Sequence, residues 1–340
     1  QREETPAQPV GDDWQHQTAP APNRQPKLNR NRTDKKHLQQ VNEVLPPRLL
    51  PYAPLFGRAL LEMGTEKEDY VRLSQRIGRL TGGITPSTYT TSVIGDASCA
   101  AQLFLRSKAT ATRSMDLLHI LRDVLLSARL DNQERFRQMV LEEKAEQEAM
   151  LAPAGHRLVN SRLRAGFSAA DWAAEQMGGI SYLFFLRQLA EAVDKDWNTV
   201  LEHLVEVRNR LVSRGGMLAN VTVNENCWQQ FQPQLQSFLS DLPDSNMPEE
   251  TWDAGLSQTK NEGLTFPAQV NFVGKGFDLY HHGYSLDGSI FVVLNYLRTT
   301  WLWEKVRVQG GAYGSFCLFD HRSGVFTFLS YRDPNLENTL

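Results

Sequence analysis

Apolar and polar residues follow helical spacing over most of this chain, after a polar N-terminal stretch. Residues 1–47 are polar and interrupted by prolines, which predicts a disordered segment outside the folded core. Beyond them, apolar residues recur every three to four positions, as in amphipathic helices. This periodicity predicts helices at residues 51–63, 67–80, 115–130, 131–150, 159–164, 169–177, 180–193, 198–213 and 225–242.

Shorter segments carry the two-residue alternation of β-strands. Four such segments, the first two predicted to pair, lie at residues 88–93, 101–105, 217–223 and 268–273. Near the C-terminus, the apolar and aromatic-rich segment 290–303 predicts a helix. Alternation over residues 316–331 then predicts a β-hairpin that turns at 321–324. Together these patterns predict an α+β fold in which antiparallel strands pack against helices.

Two parts of the chain repeat the same order of elements. The stretch Arg79-Leu80-Thr81-Gly82-Gly83 follows a predicted helix and precedes a strand, and Arg307-Val308-Gln309-Gly310-Gly311 does the same 228 residues later. This repeat predicts two domains of one topology, at residues 48–245 and 265–340, with the second cut short. Residues 246–264 are rich in Pro, Asp, Ser, Asn and Gly, which predicts the linker between them.

Composition restricts the class of protein. Of the 340 residues, 41% are hydrophobic and 22% charged, as in soluble globular proteins, and no apolar run approaches the ~20 residues of a membrane span. The net charge of -3 gives no reason to expect nucleic acid as a partner. The basic run at 24–36 could form a nucleic-acid tail, but it lacks interleaved aromatic residues, so a solvated linker is favoured. Three scattered cysteines predict a reducing interior or an organelle matrix.

Searches for catalytic motifs leave few candidates. None of the eight histidines has the i, i+4 partner of a helical zinc site, since Val207 stands where His203 would need a second ligand. The adjacent His281 and His282 diverge in a helix or strand. The acidic run at 142–148 predicts a solvated helix face rather than a metal site. No Gly-x-Ser-x-Gly elbow occurs, and the glycines of 310–314 lack the Lys-Ser or Lys-Thr of a phosphate loop.

The remaining candidates flank the second glycine pair. Arg307 precedes Gly310 and Gly311, and Tyr313 follows them, which predicts a helix, a glycine hinge and a hairpin that present a cation and a phenol together. A guanidinium can donate two hydrogen bonds to a carboxylate or carbonyl oxygen, and a phenol can donate one to a developing oxyanion. In the alternative interpretation, Arg307 caps the helix C-terminus and Tyr313 packs within the hairpin.

Several of these stretches resemble the C-terminal half of the pitrilysin-type (M16) zinc metalloproteases, and above all the presequence protease group, subfamily C, of plants, algae and cyanobacteria. Residues 302–314, which read Leu-Trp-Glu-Lys-Val-Arg-Val-Gln-Gly-Gly-Ala-Tyr-Gly, are similar to the Arg/Tyr motif of that family. The resemblance extends over residues 48–340 and includes the stretches 55–65, 79–83, 142–144 and 176–182. It implies two M16-type (LuxS/metalloenzyme-like) domains, of which the first is inactive and the second truncated.

The resemblance also implies an activity. Family members are ATP-independent zinc metalloendopeptidases that close around short unfolded peptides, such as cleaved targeting presequences, in the chloroplast stroma or mitochondrial matrix, or in the cytoplasm of cyanobacteria. By this resemblance, Arg307 would bind the substrate backbone and Tyr313 would stabilise the oxyanion, with Gly310 and Gly311 beside the peptide. The implied partners are peptide substrates and the N-terminal catalytic half of the same protein, with no nucleic acid and no membrane.

The family's zinc would lie in that N-terminal half, on an inverted His-x-x-Glu-His motif. In this chain the resemblance places Ala59 and Met63 at the positions of the two histidines, and Glu62 at that of the glutamate. We therefore expect the chain to bind no metal and to be inactive alone. The alternative is a non-catalytic, M16-like structural or interaction subunit. Such relatives usually lack an intact Arg/Tyr motif, so Arg307 and Tyr313 argue against it.

Overall fold

The folded chain begins a few residues earlier than the sequence pattern predicts. A computed structural model describes residues 44–93, 99–244, 250, 252, 254, 256 and 261–340, so most of the predicted disordered segment lies outside the described residues. Val44 and Leu45, which belong to that predicted segment, are buried in the main core. Their carbonyl oxygens accept hydrogen bonds from Arg210 Nη1 and Trp252 Nε1, each at 2.8 Å. The prediction that these two residues lie outside the core is therefore wrong.

Helices form where the apolar periodicity predicts them, with ends within a few residues of the predicted ones. They are α1 (Tyr52–Glu62), α2 (Tyr70–Leu80), α3 (Ser114–Ser127), α4 (Gln133–Arg164), α5 (Ala169–Gly178), α6 (Ile180–Lys195), α7 (Trp197–Leu211), α8 (Glu225–Ser240) and α9 (Ser289–Tyr296). Short 3-10 turns lie at Pro47–Leu49, Ala111–Arg113, Arg214–Gly216 and Glu337–Thr339. Several helices begin at a side chain that accepts a hydrogen bond from a free N–H of the first turn: Asp69, Asn132, Ser168, Asp196 and Asn224.

The predicted helices 131–150 and 159–164 are one bent helix, α4. Pro153 lacks an N–H for the helical ladder, and the next residue, Ala154, leaves helical geometry with φ −125° and ψ 18°. Beyond the bend, α4 lies against the strands of the C-terminal sheet. Thr327 Oγ1, for example, donates to Asn160 Oδ1 at 2.8 Å. The bend therefore lets one helix contact both the main core and the C-terminal sheet.

Strands form two antiparallel sheets. In the first, β1 (Ile84–Ser92) pairs with β2 (Cys99–Ser107), which confirms the predicted pairing. The second sheet has the order β3–β5–β4, with β3 (Gly274–Asp278) and β4 (Gly314–Phe319) on either side of β5 (Val325–Tyr331). The predicted C-terminal hairpin is thus confirmed as β4 and β5. An α+β fold with antiparallel sheets packed against helices is also confirmed.

Two strand predictions are wrong. Residues 217–223 form no strand; Met217 is extended, and both Met217 and Val221 pack on the core without a paired strand among the described residues. The strand predicted at 268–273 lies instead at Gly274–Asp278. The glycines of this strand do not favour β-structure, but close packing against α4 requires a glycine at position 274. A Cβ on Gly274 would lie 2.5 Å from Val159 Cγ1 and 2.6 Å from Leu163 Cδ1 of α4.

Buried side chains form one large and one small cluster. The large cluster joins the helices from α1 to α8 with the first sheet. The small cluster joins α9 to the second sheet through Ile290, Leu294, Leu302, Cys317 and Phe326. Within the described ranges, no helix combines the length and apolar content needed to cross a membrane. The division at 246–264 into two domains of one topology remains a prediction.

Candidate functional site

The small cluster supports the helix that carries Arg307. Beyond α9, the helix continues through Leu297–Trp301 and Trp303–Gln309, where hydrogen bonds run from residue i to i+5 rather than i+4. Such widened turns are rare and occur frequently at functional sites. Arg307 lies in the second of these segments, named here the α9 extension, and Gly310 and Gly311 connect it to β4. The predicted order of helix, glycine pair and hairpin is confirmed.

Backbone geometry requires both glycines. The N–H groups of the hinge close the helix end: Gly310 donates to Lys305 O and Gly311 to Arg307 O, both at 3.0 Å. A Cβ on Gly310 would lie only 2.6 Å from Val306 O, closer than carbon and oxygen can approach without movement of the backbone. Gly311 has a φ of 80°, in the left-handed region that glycine adopts without strain.

A segment after β5 holds the hinge from the opposite side. Asn335 Nδ2 donates to Gly310 O at 2.6 Å, and Tyr313 N donates to Arg332 O at 3.3 Å. Asp333 is fully buried, and its carboxylate accepts from Asn335 N and Thr339 Oγ1, each at 2.9 Å. These contacts fix the two ends of the hinge and thereby the spacing between Arg307 and Tyr313. Sequence reasoning missed Asn335, although Asp333-Pro334-Asn335 is a recognisable turn signal.

Arg307 and Tyr313 lie next to each other, as the sequence predicts. The guanidinium carbon of Arg307 is 5.9 Å from the centre of the Tyr313 ring and 4.0 Å from that of Trp303. Tyr313 is 67% exposed, and its ring packs edge-on against Tyr331, with 5.9 Å between ring centres. No described residue forms a hydrogen bond or ion pair with the guanidinium of Arg307 or the hydroxyl of Tyr313. The surface therefore presents several free hydrogen-bond donors.

The chemistry available at this surface is that of hydrogen-bond donation. A planar guanidinium fork fits carbonyl or carboxylate oxygens, and a phenol can stabilise negative charge on an oxygen. The pair supplies no base and no nucleophile. In the alternative interpretation, Arg307 stabilises the helix C-terminus; it lies in the last turn of the α9 extension, where a cation is favoured, but its guanidinium donates to no described carbonyl.

The residues of α1 do not fit a metal site, although the resemblance makes α1 the counterpart of the family's zinc-binding helix. Ala59 offers no donor atom, and Met63 is buried in the apolar core. Zinc in proteins takes His, Cys, Asp or Glu ligands, and only Glu62 of this set is present on α1. Across the described part of the chain, no group of three His, Cys, Asp or Glu side chains is arranged to hold a metal ion.

The carboxylates next to α1 are held by an arginine. Arg58 donates to both oxygens of Glu62, to Glu143 Oε2 at 2.8 Å and to Glu142 Oε2 at 3.1 Å. Burial alone would lower the pKa of Arg58, but its hydrogen bonds and proximity to Glu62 and Glu143 raise that pKa above the ordinary value. The side chains of Arg58 and Glu143 are only 21% and 15% exposed. The prediction of a solvated acidic face is therefore wrong for Glu143.

This cluster lines a cleft of about 690 Å³ between α1, α2 and the start of β1. Arg135 closes the cluster on the other side, because its Nη2 donates to Glu62 Oε2 at 2.9 Å. The carboxylate of Glu62 is thus held by two guanidinium groups and is not available as a base or ligand. The rest of the lining is mixed: Leu61, Val71, Ile77, Ile84 and Pro86 are apolar, and Tyr70, Ser74, Gln75 and Thr85 carry polar groups.

The rejected histidine candidates have local partners. His203 Nδ1 lies 3.1 Å from Tyr52 OH, and burial lowers the pKa of His203. Burial also raises the pKa of Tyr52 to about 12. The rings of His281 and His282 meet edge to face, with centres 5.6 Å apart.

Comparisons with known proteins cover most of the chain. Residues 36–189 match the family model of the domain associated with M16 peptidases of subfamily C, which begins ahead of the predicted start at 48. Residues 261–340 match "PreP C-terminal domain". The chain is 43% identical to "Presequence protease 1, chloroplastic/mitochondrial" of Arabidopsis thaliana, over 86% of this chain and 27% of that protein.

More distant relatives match similar extents. "Protein HypA" of Clostridium perfringens is 29% identical over 87% of this chain and 30% of its own length. The chain therefore spans less than a third of either curated relative. Among solved structures, a conserved protein from Enterococcus faecalis V583 superposes with a TM-score of 0.54 at 13% identity, covering 85% of this chain and 68% of that one. At this identity the superposition shows a similarity of fold only.

Proposed function

Because the chain belongs to the presequence-protease-like group of the M16 peptidases and matches its C-terminal domain model, we propose that it forms the substrate-binding half of a metalloendopeptidase. The whole enzyme would cleave short unfolded peptides, such as targeting presequences after their removal, without ATP. An N-terminal catalytic half would hold the zinc. Alone, this chain would be inactive, since it offers donors for a substrate but neither base nor nucleophile.

One observation carries this proposal: the glycine hinge presents the half-buried Arg307 beside the exposed Tyr313, and neither the guanidinium nor the hydroxyl forms a hydrogen bond with a described residue. A peptide in extended conformation offers carbonyl oxygens that a guanidinium can bind. The hydroxyl of Tyr313 would donate to the oxygen of the scissile carbonyl as negative charge develops there. Gly310 and Gly311 leave room for the peptide backbone beside the hinge, since they carry no side chain.

The compartment and the partners follow from the same relationship. The Arabidopsis relative is named for the chloroplast and the mitochondrion, and we extend an organellar stroma or matrix to this chain if its source is eukaryotic. A cyanobacterial source would instead place it in the cytoplasm. Its partners would be peptide substrates and the catalytic half, and not nucleic acid or membrane.

Complementation tests the proposal. The full chain is mixed with the separately purified N-terminal half of the Arabidopsis presequence protease, and cleavage of a fluorogenic peptide is followed. We expect activity only in the mixture.

Tyr313→Phe should lower kcat about 10²- to 10³-fold, because it removes one donor to the oxyanion. Arg307→Ala should lower kcat/KM by about tenfold or more, because it removes a charged hydrogen-bond donor. Arg79→Ala, at the corresponding arginine of the first glycine pair, is the matched control and should leave activity unchanged.

Two results would contradict the proposal. The first is a mixture that stays inactive with the wild-type chain while both halves are folded. The second is equal activity of the wild type, Arg307→Ala and Tyr313→Phe, which would remove the assigned roles and support a non-catalytic subunit. In either case, the circular dichroism of each variant must match that of the wild type, so that a folding defect is not mistaken for a loss of function.

A further inference from the structure

The charge of Arg307 lies against an aromatic ring, and no carboxylate of the described residues pairs with it. Its guanidinium carbon lies 4.0 Å from the centre of the Trp303 ring, one turn earlier on the α9 extension. We propose that Trp303 is a positioning residue for Arg307: it holds the guanidinium by stacking and leaves the N–H donors free for a peptide. This inference rests on the proposed function of Arg307.

The spacing of the two residues explains how the stack forms. In the widened turns of the α9 extension, residues four positions apart still lie close to the same face, and the side chain of Arg307 extends over that of Trp303. Trp303 is 47% exposed and is not part of the apolar cluster beneath the helix. Packing of the core therefore does not account for a large aromatic residue at this position, whereas the guanidinium above it does.

Stacking and ion pairing leave an arginine in different states. A carboxylate partner takes two of the five N–H donors of the guanidinium fork. An indole ring contacts the planar face of the guanidinium, while the N–H groups point outward from its edge. The cation is thus stabilised and oriented without losing the groups that would bind a peptide carbonyl.

Orientation before binding has a direct effect on affinity. An arginine side chain has many rotamers, and fixing them when the substrate binds opposes binding. At Arg307 the stack restricts these rotamers in advance, since the guanidinium carbon lies 4.0 Å from the centre of the Trp303 ring and 5.9 Å from that of Tyr313. We therefore expect loss of the indole to weaken peptide binding more than it slows the chemical step.

Trp301 provides a matched control. It lies on the same helix, is 50% exposed, and has no cation over its ring among the described residues. Trp301→Leu thus removes an exposed indole of similar exposure without removing a stack. Trp303→Phe is the conservative variant, since a phenyl ring keeps an aromatic face under the guanidinium.

Side-chain NMR tests the stack without reference to activity. The full chain is labelled with ¹⁵N-arginine, and the Nε–Hε resonance of Arg307 is assigned from its absence in Arg307→Lys. We expect ring current to shift this resonance upfield in the wild type and in Trp301→Leu. In Trp303→Leu it should move downfield, toward the resonances of exposed arginines, and Trp303→Phe should be intermediate.

Kinetics of the complemented enzyme test the consequence. Trp303→Leu should raise KM roughly three- to tenfold with little change in kcat, and Trp303→Phe should restore part of the loss. Trp301→Leu should match the wild type within about twofold.

An unmoved Arg307 resonance in Trp303→Leu would overturn the proposal. A moved resonance with an unchanged KM would overturn the positioning role and leave the proposed function intact. Full activity of Arg307→Ala would overturn the proposed function and the positioning role with it.

Discussion

Two helix–Gly-Gly–hairpin units occur in this chain, and they differ most in how their arginines are used. The first unit comprises α2, Gly82-Gly83 and β1–β2; the second comprises the α9 extension, Gly310-Gly311 and β4–β5. In both, the second glycine has a left-handed φ, 104° at Gly83 and 80° at Gly311. The backbone path at the hinge is therefore similar in this respect.

The side chains around the two hinges are different. Displaced by the same 228 residues, Gln75 corresponds to Trp303, Arg79 to Arg307 and Thr85 to Tyr313. The first unit thus keeps an arginine but has neither of the two aromatic rings that Arg307 contacts. Arg58 of α1, which lines the cleft beside the first unit, donates to three carboxylates. The cation beside the first unit is therefore structural, whereas the second unit presents an available hydrogen-bond donor.

Substitution of the first glycine in each pair should give the largest difference in stability between the two units. A Cβ at position 310 meets the backbone oxygen of Val306 at 2.6 Å, whereas at position 82 it meets only the flexible side chain of Lys108. We expect Gly310→Ala to lower the free energy of unfolding of the second unit by about 2–3 kcal/mol, because the backbone must move. Gly82→Ala should change that of the first unit by less than about 1 kcal/mol.

Hydrogen exchange of β1–β2 and β4–β5, measured separately by mass spectrometry, reports the stability of each unit. Equal loss of protection in the two variants would show that the hinges are equivalent and that the comparison between them fails. Exchange in the other unit serves as the internal reference for each variant.

Removal of Arg58 should have the next largest effect, and it tests the structural role of this cation beside the first unit. Arg58→Met keeps most of the side-chain volume but leaves Glu62, Glu142 and Glu143 without their shared partner. We expect a loss of about 2 kcal/mol in unfolding free energy, less than for a fully buried pair because the cluster is partly solvated. Urea denaturation followed by circular dichroism measures it.

Arg79→Met is the control for this substitution, since Arg79 is exposed, and it should change stability by no more than about 0.5 kcal/mol. If Arg58→Met were as stable as this control, the carboxylates would not depend on Arg58. The interpretation of Arg58 as a structural cation would then be wrong.

Local patterns in the sequence predict the scaffold, because each of its parts is encoded within a few residues. Apolar stripes at helical spacing fix the helices, and the glycine pair with Arg307 and Tyr313 marks the second hinge. The misplaced strand illustrates the limit of such patterns. Gly274 is required by the nearby side chains of Val159 and Leu163, which follow from tertiary packing and not from strand propensity.

Long-range contacts explain what the sequence did not predict at the two sites. Arg58 and Glu143 are 85 positions apart, and Asn335 and Gly310 are 25 apart, so spacing along the chain gives no sign of either contact. Trp303 was different: its separation of four residues from Arg307 is visible in the sequence. An aromatic residue in an apolar segment nevertheless predicts a place in the core, and so the spacing alone does not indicate a stack.

Lowering the pH should destabilise the second unit through a histidine that packs against its hairpin. This is the smallest of the expected effects. His156 of α4 stacks on Phe316 and meets Tyr331 edge-on, with ring centres 5.2 and 4.9 Å away, and its buried Nδ1 has no described partner. Burial lowers the pKa of His156, and the nearby charge of Arg157 lowers it further.

A histidine whose pKa is lower in the folded state stabilises the fold when neutral, because the unfolded chain takes up the proton more readily. This stability is present above the ordinary pKa of 6.5 and is lost as the pH falls below it. We therefore expect exchange protection of β4–β5, corrected for the intrinsic effect of pH, to fall between about pH 7.5 and 5.5 more than that of β1–β2.

His156→Phe should abolish the difference, because phenylalanine keeps the stacking and cannot titrate. His203 also has a pKa lowered by burial but contacts Tyr52 on α1, so His203→Gln should leave the response of β4–β5 unchanged. A pH response of β4–β5 that persists in His156→Phe would assign it to another group and remove this distinction between the two units.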